Sequence, residues 1–269
     1  MIRFLKLTGS GNDFIFIDQR SAAATAPMPA DRIRALCARG TGIGADGIVF
    51  LESDPQADIR IRYFNSDGSP AALCGNATLC TVRVAQELAI GDTGRLRIAT
   101  DTGVVRACLT DDEPSFDVGP IERLTPAVPI ALGSGERRLG YAVVGVPHLV
   151  IEVDDVEGID LMARGRALRT HPWTGTPGAN VNFVGRDRRG GWAMRTYERG
   201  VEAETLACGT GSVAVGTLLV AWGRDPGPVV RLWSRSGEPL HIAVRHEGER
   251  WDASLRGEGR LVFRGELEG

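Results

Sequence analysis

One half of this chain echoes the other, and that repeat restricts the fold more than any other feature. "IRYFNSDGSPAALCGNATLC" (61–80) and "MRTYERGVEAETLACGTGSV" (194–213) share one plan. In each, an aromatic-ended strand runs into a short polar loop, then Leu or Leu-Ala, then Cys-Gly at the head of a helical pattern. Cys74 lies nine positions after Asn65, and Cys208 ten positions after Glu198. A repeat of about half a chain predicts two like-folded domains with equivalent cysteines. The 269 residues, 43% hydrophobic and 24% charged, are enough to give each domain its own core.

The Pro- and Gly-rich stretch 118–138 reads as the junction. The expected division is 1–118, completed by a strand near 256–269, and 119–255. In the first half apolar alternation predicts strands over 14–18, 48–52, 59–64, 95–99 and 104–109. A helix fits 30–39, closed by Gly40. A second helix lies within 71–91, with Val82, Ala85, Leu88 and Ala89 at helical spacing and a stop at Gly91. In the second half strands fit 141–145 and 149–153, and a helix fits 159–168. A hairpin over 180–197 turns at Arg189–Gly191. The helix after Cys208, "SVAVGTLLVAW", is apolar all round and is expected to be buried on every side. "VVRLWS", "LHIAVRH", "WDASLRG" and "RLVFRGEL" return to strand. The fold class is α/β (α+β), with long β content wrapped about one buried helix per half.

Several function classes fall away. The net charge is −3 with no basic block, which leaves no electrostatic footprint for nucleic acid. No apolar run approaches the roughly 20 residues that cross a bilayer. The opening "MIRFLKLTGSGNDFIFID" lacks a signal-peptide core and cleavage site, so a cytoplasmic protein is expected. Five cysteines, an odd number, are expected to stay thiols there. No C-x-x-C occurs, and His148, His171, His241 and His246 lie far from any cysteine in sequence, so no metal site is expected. "GTGIGADG" (40–47) contains a G-x-G-x-x-G pattern. It follows a predicted helix and precedes a predicted strand, the reverse of a dinucleotide-binding loop, and reads as a tight loop lining a site.

The chemistry concentrates at the two repeated cysteines. A helix N-terminus carries unpaired N–H groups and a partial positive charge, which favour a thiolate and can cradle a carboxylate. Gly75–Asn76 and Gly209–Thr210 let backbone amides approach a ligand closely. One acid/base thiol per half suits inversion at an amino-acid α-carbon: a thiolate removes the proton from one face and a thiol supplies one to the other. For either cysteine alone, burial as a small hydrophobe is the better account. Both at matching points of a repeat favour chemistry. Cys37, Cys80 and Cys108 lack this setting and are assigned to packing.

From "LTGSGNDFIFID" through "GIGADG", "FNSDG", "CGN", "GVPHLV", "NVNFV" and "YERG" to "ETLACGTG", the chain resembles the cofactor-independent diaminopimelate epimerases. The resemblance covers about residues 6–216. It implies two pseudo-symmetric domains, each a β-barrel-like sheet around a central helix, with the active site in the cleft between them. The implied reaction interconverts LL- and meso-2,6-diaminopimelate, in lysine and peptidoglycan precursor biosynthesis, without pyridoxal phosphate or metal. By motif match Cys74 and Cys208 are the acid/base thiols, and Gly75, Asn76, Gly209 and Thr210 hold the carboxylate of the reacting centre. Asn12, Asn65, Asn180, Glu198 and Arg199 bind and orient the rest of the substrate. His148 tunes the first cysteine and Glu198 the second. The implied partner is a small amino acid, with neither nucleic acid nor membrane, and a homodimer is compatible.

The bland counterparts are a turn cap for Asn65 and Asp67, a structural His148 and a surface Arg199. Ala77 and Leu79 depart from the usual "CGNG-x-R-C", Val146 stands where many members have Asn, and Gly47 where some have Gln. The "ERGVEAETLAC" loop is one residue longer than the shorter family form. The alternative reading is a cofactor-independent racemase of another amino acid, histidine or proline, on the same scaffold. A more distant one is a binding protein that keeps the fold without catalysis.

Overall fold

The computed structural model describes residues 1–21, 28–71, 74–187 and 190–267. Its contacts divide the chain into two units, Met1–Asp117 together with the segment from Arg256, and Val118–Leu255.

The first unit opens with antiparallel strands β1 (Ile2–Gly9) and β2 (Asn12–Asp18). Helix α1 (Ala30–Cys37) then crosses over to β3 (Gly47–Glu52), which lies parallel to β2. β4 (Ile59–Asn65) is antiparallel to β3 and takes the short β5 (Pro70–Ala71) on its end. After helix α2 (Gly75–Glu87), β6 (Leu96–Thr100) runs parallel to β4. β7 (Gly103–Thr110) and β8 (Glu113–Pro120) continue the meander.

The second unit repeats this plan. After β9 (Arg123–Thr125), β10 (Glu136–Val144) and β11 (Val146–Val153) form the antiparallel pair. α3 (Leu161–Arg169) leads to β12 (Asn180–Arg186), parallel to β11. β13 (Trp192–Glu198) is antiparallel to β12 and carries the short β14 (Ala203–Thr205). Helix α4 (Gly209–Ala221) follows, then β15 (Val229–Trp233) parallel to β13. β16 (Pro239–Glu247) pairs with β15, and β17 (Arg250–Arg256) follows. The chain ends in the first unit as β18 (Arg260–Leu267), antiparallel to β1.

Each unit buries one long helix. Nearly all of α4 is buried, as its all-apolar sequence requires. It sits close to its sheet because small residues meet it: a Cβ on Gly140 would lie 2.8 Å from Leu218, and one on Gly216 would lie 2.9 Å from Ile242. A buried threonine inside each helix returns its hydroxyl to the helix's own backbone. Thr81 Oγ1 donates to Ala77 O and Thr217 Oγ1 to Val213 O, each at 2.8 Å. A second helix in each unit closes a smaller core. Ile33 packs with Phe4, Ile15, Ile48 and Phe50 in the first, and Leu168 with Ile151, Phe183 and Tyr197 in the second.

Every strand and helix expected from sequence is present, with differences at the edges. β1 went unread because its buried run Phe4–Leu7 is continuous and includes Lys6, which hides the period of two. Lys6 makes an ion pair there with Asp13 at 2.8 Å. The junction 118–138 is more ordered than its composition suggests, holding β9 and the start of β10. α2 ends at Glu87, and Ala89 (φ 51°), two positions before the expected Gly91, is the first residue in the left-handed conformation. The hairpin over β12 and β13 is formed, but Arg189 of its expected turn lies outside the described residues. Among the described residues no helix is long and apolar enough to cross a membrane.

Candidate active site

The two repeated cysteines occupy the same local structure. Cys74 (φ −128°, ψ 115°) is the N-cap of α2 and Cys208 (φ −137°, ψ 103°) the N-cap of α4, each at the head of a 13-residue helix. Neither side chain caps its helix, which leaves the sulfur at a helix start where the dipole favours an anion. The residue four positions on repeats as well: Thr78 Oγ1 donates to Cys74 O, and Ser212 Oγ to Cys208 O, both at 2.9 Å. These hydroxyls anchor the carbonyls, and the first-turn N–H groups of Gly75–Asn76 and Gly209–Thr210 are among those that a helix cannot pair within itself. Cys74 is half-buried and Cys208 buried; Thr210 Oγ1 lies 3.7 Å from Cys208 Sγ.

In the first unit a chain of polar side chains reaches the start of α2. Asn76 Nδ2 donates to Asn12 Oδ1 at 2.6 Å, and Asn12 Nδ2 donates to Asp46 Oδ2 at 2.9 Å. Arg39 bridges Asp46 and Asp13, at 2.8 and 2.7 Å. Burial alone would raise the Asp13 carboxyl, but hydrogen bonds from Arg39 and Lys6 hold it below its ordinary value. Asp46 belongs to the "GIGADG" loop, and its carbonyl accepts the Ser66 N–H beside Asn65. That loop lies between α1 and β3, the order its sequence context predicts, and through Asp46 it holds Asn12. Asn65 donates to Ser69 Oγ at 3.1 Å within a turn that Asp67 caps, so its bland counterpart is also realised.

In the second unit His148, Asn180, Glu198 and Arg199 cluster around the end of β13. Asn180 Oδ1 accepts the Arg199 backbone N–H at 2.8 Å. That bond ties "NVNF" to "YERG". Glu198 Oε2 accepts from Thr205 Oγ1 at 2.7 Å; burial outweighs that bond and raises the carboxyl above its usual range. His148 is fully buried. Burial first, and then the Arg199 charge, depress the imidazole to about 3, so it is neutral at physiological pH.

The departures from the family pattern have physical counterparts. Ala77 and Leu79 are fully buried in α2, so this helix shows an apolar face where an Arg would be charged. A Cβ on Gly47 would lie 2.5 Å from both the Tyr63 ring and Phe64 O, so Tyr63 fills the space of a side chain at that position. Of the cysteines assigned to packing, Cys37 and Cys80 are buried, and burial pushes the Cys37 thiol up to about 11 and Cys80 well above its ordinary value. Cys108 differs: it is half-buried on β7, 3.1 Å from Ser115 Oγ. Sequence reasoning missed Asp46, Asn182 and Thr196. The only signal for Asn182 was its place two residues after Asn180, on the same strand face. Among the described residues no three His, Cys, Asp or Glu side chains group so as to hold a metal ion.

The fold is shared with solved structures of low sequence identity. A phenazine biosynthesis protein of the PhzF family from Bacillus anthracis superposes with a TM-score of 0.74 at 17% identity, covering 99% of each chain. A probable proline racemase from Agrobacterium radiobacter gives a TM-score of 0.71 at 18% identity, covering 100% of this chain and 93% of that one. The class is therefore the two-unit fold common to racemases and PhzF proteins. Sequence narrows it. The diaminopimelate epimerase family model matches residues 4–124 and 140–262. A diaminopimelate epimerase of Gemmatimonas aurantiaca is 45% identical over 275 residues, covering 99% of each chain. The chain belongs to the diaminopimelate epimerase family.

Proposed function

We propose that this isomerase is a diaminopimelate epimerase, interconverting the LL and meso forms by proton transfer at one α-carbon. The observation that carries the reading is the pair of N-cap cysteines, in near-identical backbone geometry, in a chain that belongs to this family. In the proposed reaction one thiolate removes the Cα proton, and the electron pair left on carbon spreads into the adjoining carboxylate. The N–H groups of Gly75–Asn76 and Gly209–Thr210 stabilise that developing charge. The other thiol gives its proton to the opposite face, so configuration inverts and the two sulfurs exchange protonation states. Arg199 suits a carboxylate by its bidentate fork, and the carboxyl of Glu198 with the amides of Asn12, Asn65 and Asn180 suits an ammonium. No cofactor enters this scheme. We further infer a cytoplasmic enzyme that works as a homodimer, which sedimentation velocity would test.

The decisive experiment follows exchange of the α-proton for solvent deuterium across LL- and meso-diaminopimelate, proline and histidine. Exchange and inversion of diaminopimelate alone are expected; turnover of proline or histidine without diaminopimelate overturns the substrate. Cys74→Ser and Cys208→Ser should each lower kcat by roughly 100- to 10,000-fold, the usual worth of a positioned acid or base. Wild-type rates in both variants would defeat the two-thiol scheme.

A further inference from the structure

β11 and β12 run parallel, with His148 opposite Asn180 and Val150 opposite Asn182. Asn182 is fully buried and makes three directed contacts. Its Nδ2 lies 3.0 Å from the Leu149 carbonyl oxygen and 3.3 Å from His148 Nδ1. Its Oδ1 accepts from Thr196 Oγ1 at 3.0 Å. A backbone carbonyl only accepts, so the amide atom facing Leu149 must be the NH2 group, which fixes the rotation of the amide. The second hydrogen of that group points at His148. A ring nitrogen facing an N–H must present its lone pair, so the proton of the neutral imidazole sits on Nε2. That Nε2 is buried and has no hydrogen-bond partner among the described residues.

The amide is packed closely against the start of α4. A Cβ on Gly211 would lie 2.5 Å from Asn182 Oδ1 and 3.1 Å from Cys208 Sγ. Asn182 is thus wedged between β11, β13 and the first turn of α4, beside the sulfur of the second unit.

We propose that Asn182 is a positioning residue that holds His148 in the Nε2–H tautomer, so that the ring offers the site a neutral N–H donor for an anion and does not serve as a base. The anion is a carboxylate or a thiolate. With a donor against Nδ1 and a proton already on Nε2, the ring can accept a second proton only by giving up the Asn182 bond. Its part in catalysis is then to stabilise negative charge, not to carry away a thiol proton. This catalytic consequence rests on the proposed function, whereas the tautomer rests on the geometry alone.

The test is a long-range 1H–15N correlation spectrum of the full-length protein with 15N-labelled histidine between pH 6 and 8. The chain has four histidines, and His148→Gln identifies the signal. The expected pattern is an unprotonated Nδ1 and a protonated Nε2; an Nδ1–H or doubly protonated ring overturns the inference, and this spectrum needs no variant of Asn182 to fold. Asn182→Asp keeps the shape and replaces the donor by an acceptor. It should move the His148 proton to Nδ1 and lower kcat roughly tenfold or more with a smaller change in KM. An unmoved tautomer in Asn182→Asp overturns the positioning role, and a moved tautomer with unchanged kcat overturns the catalytic part. The expected tautomer in a chain without epimerase turnover defeats the functional reading instead, and turnover with an Nδ1–H ring defeats this one.

Discussion

Gly211 shows how a single missing side chain holds a site together. Its Cα is flanked by Asn182 Oδ1 and Cys208 Sγ, and Asn182 cannot retreat without breaking its bonds to Leu149, Thr196 and His148. Gly211→Ala should therefore destabilise the protein by about 1–3 kcal/mol, the usual range for overpacking, as read by urea unfolding. Asp46 acts on the other unit in a similar way. An ionised carboxylate only accepts, so it fixes the amide of Asn12, and Asn12 in turn fixes Asn76. Asp46→Asn removes that constraint and should raise KM about tenfold. Asp46→Asn and Asn12→Ala should also be non-additive in a double-mutant cycle, because they break one chain of contacts. His148 ties stability to pH. Its folded value, about 3, lies below the ordinary 6.5, so the unfolded chain takes up the proton first as pH falls. The stability associated with this group is complete above pH about 6.5 and declines from there toward pH about 3. Between pH 7 and pH 5 the loss is about 2 kcal/mol, and His148→Gln should flatten that part of the profile.

At the scale of elements, α2 and α4 differ in pattern but share a task. α4 is apolar throughout and its burial was legible from "SVAVGTLLVAW"; α2 carries Thr78, Thr81 and Arg83, yet its first ten residues are buried except Arg83. The hydroxyls return to backbone carbonyls, and Arg83 reaches out to Gly259 O and Asp112. β4 (Ile59–Asn65) was legible from the alternation at its start, where Ile59 and Ile61 are buried and Arg60 and Arg62 are not. β1 was not, because its neighbours cover both faces over Phe4–Leu7 and an ion pair neutralises Lys6. Lys6→Met should keep the strand and free Asp13 from one of its two cations. The Asp13 carboxyl should then titrate at higher pH than in the wild type, as seen by carboxyl NMR.

For the whole molecule, the notable feature is that chain order and unit membership part company. β18 belongs with β1, from Ile2–Leu267 to Thr8–Arg260, although almost the entire sequence lies between them. A chain ending at Leu255 should lose this partner for β1 and with it much of the protection of the first unit. Hydrogen exchange should then show fast amides over Ile2–Thr8 and α2, with Val118–Leu255 less affected.

The sequence by itself determined the repeat, the alternation of strands and helices, and the two Cys-Gly helix starts, because each is written in contiguous residues through period, punctuation and spacing. Tertiary structure alone decided which amides and carboxylates meet. Asp46 orients Asn12 across 34 positions, and Asn182 reaches His148 across another 34. Such contacts come from strand register and close helix–sheet approach, and no local pattern records them.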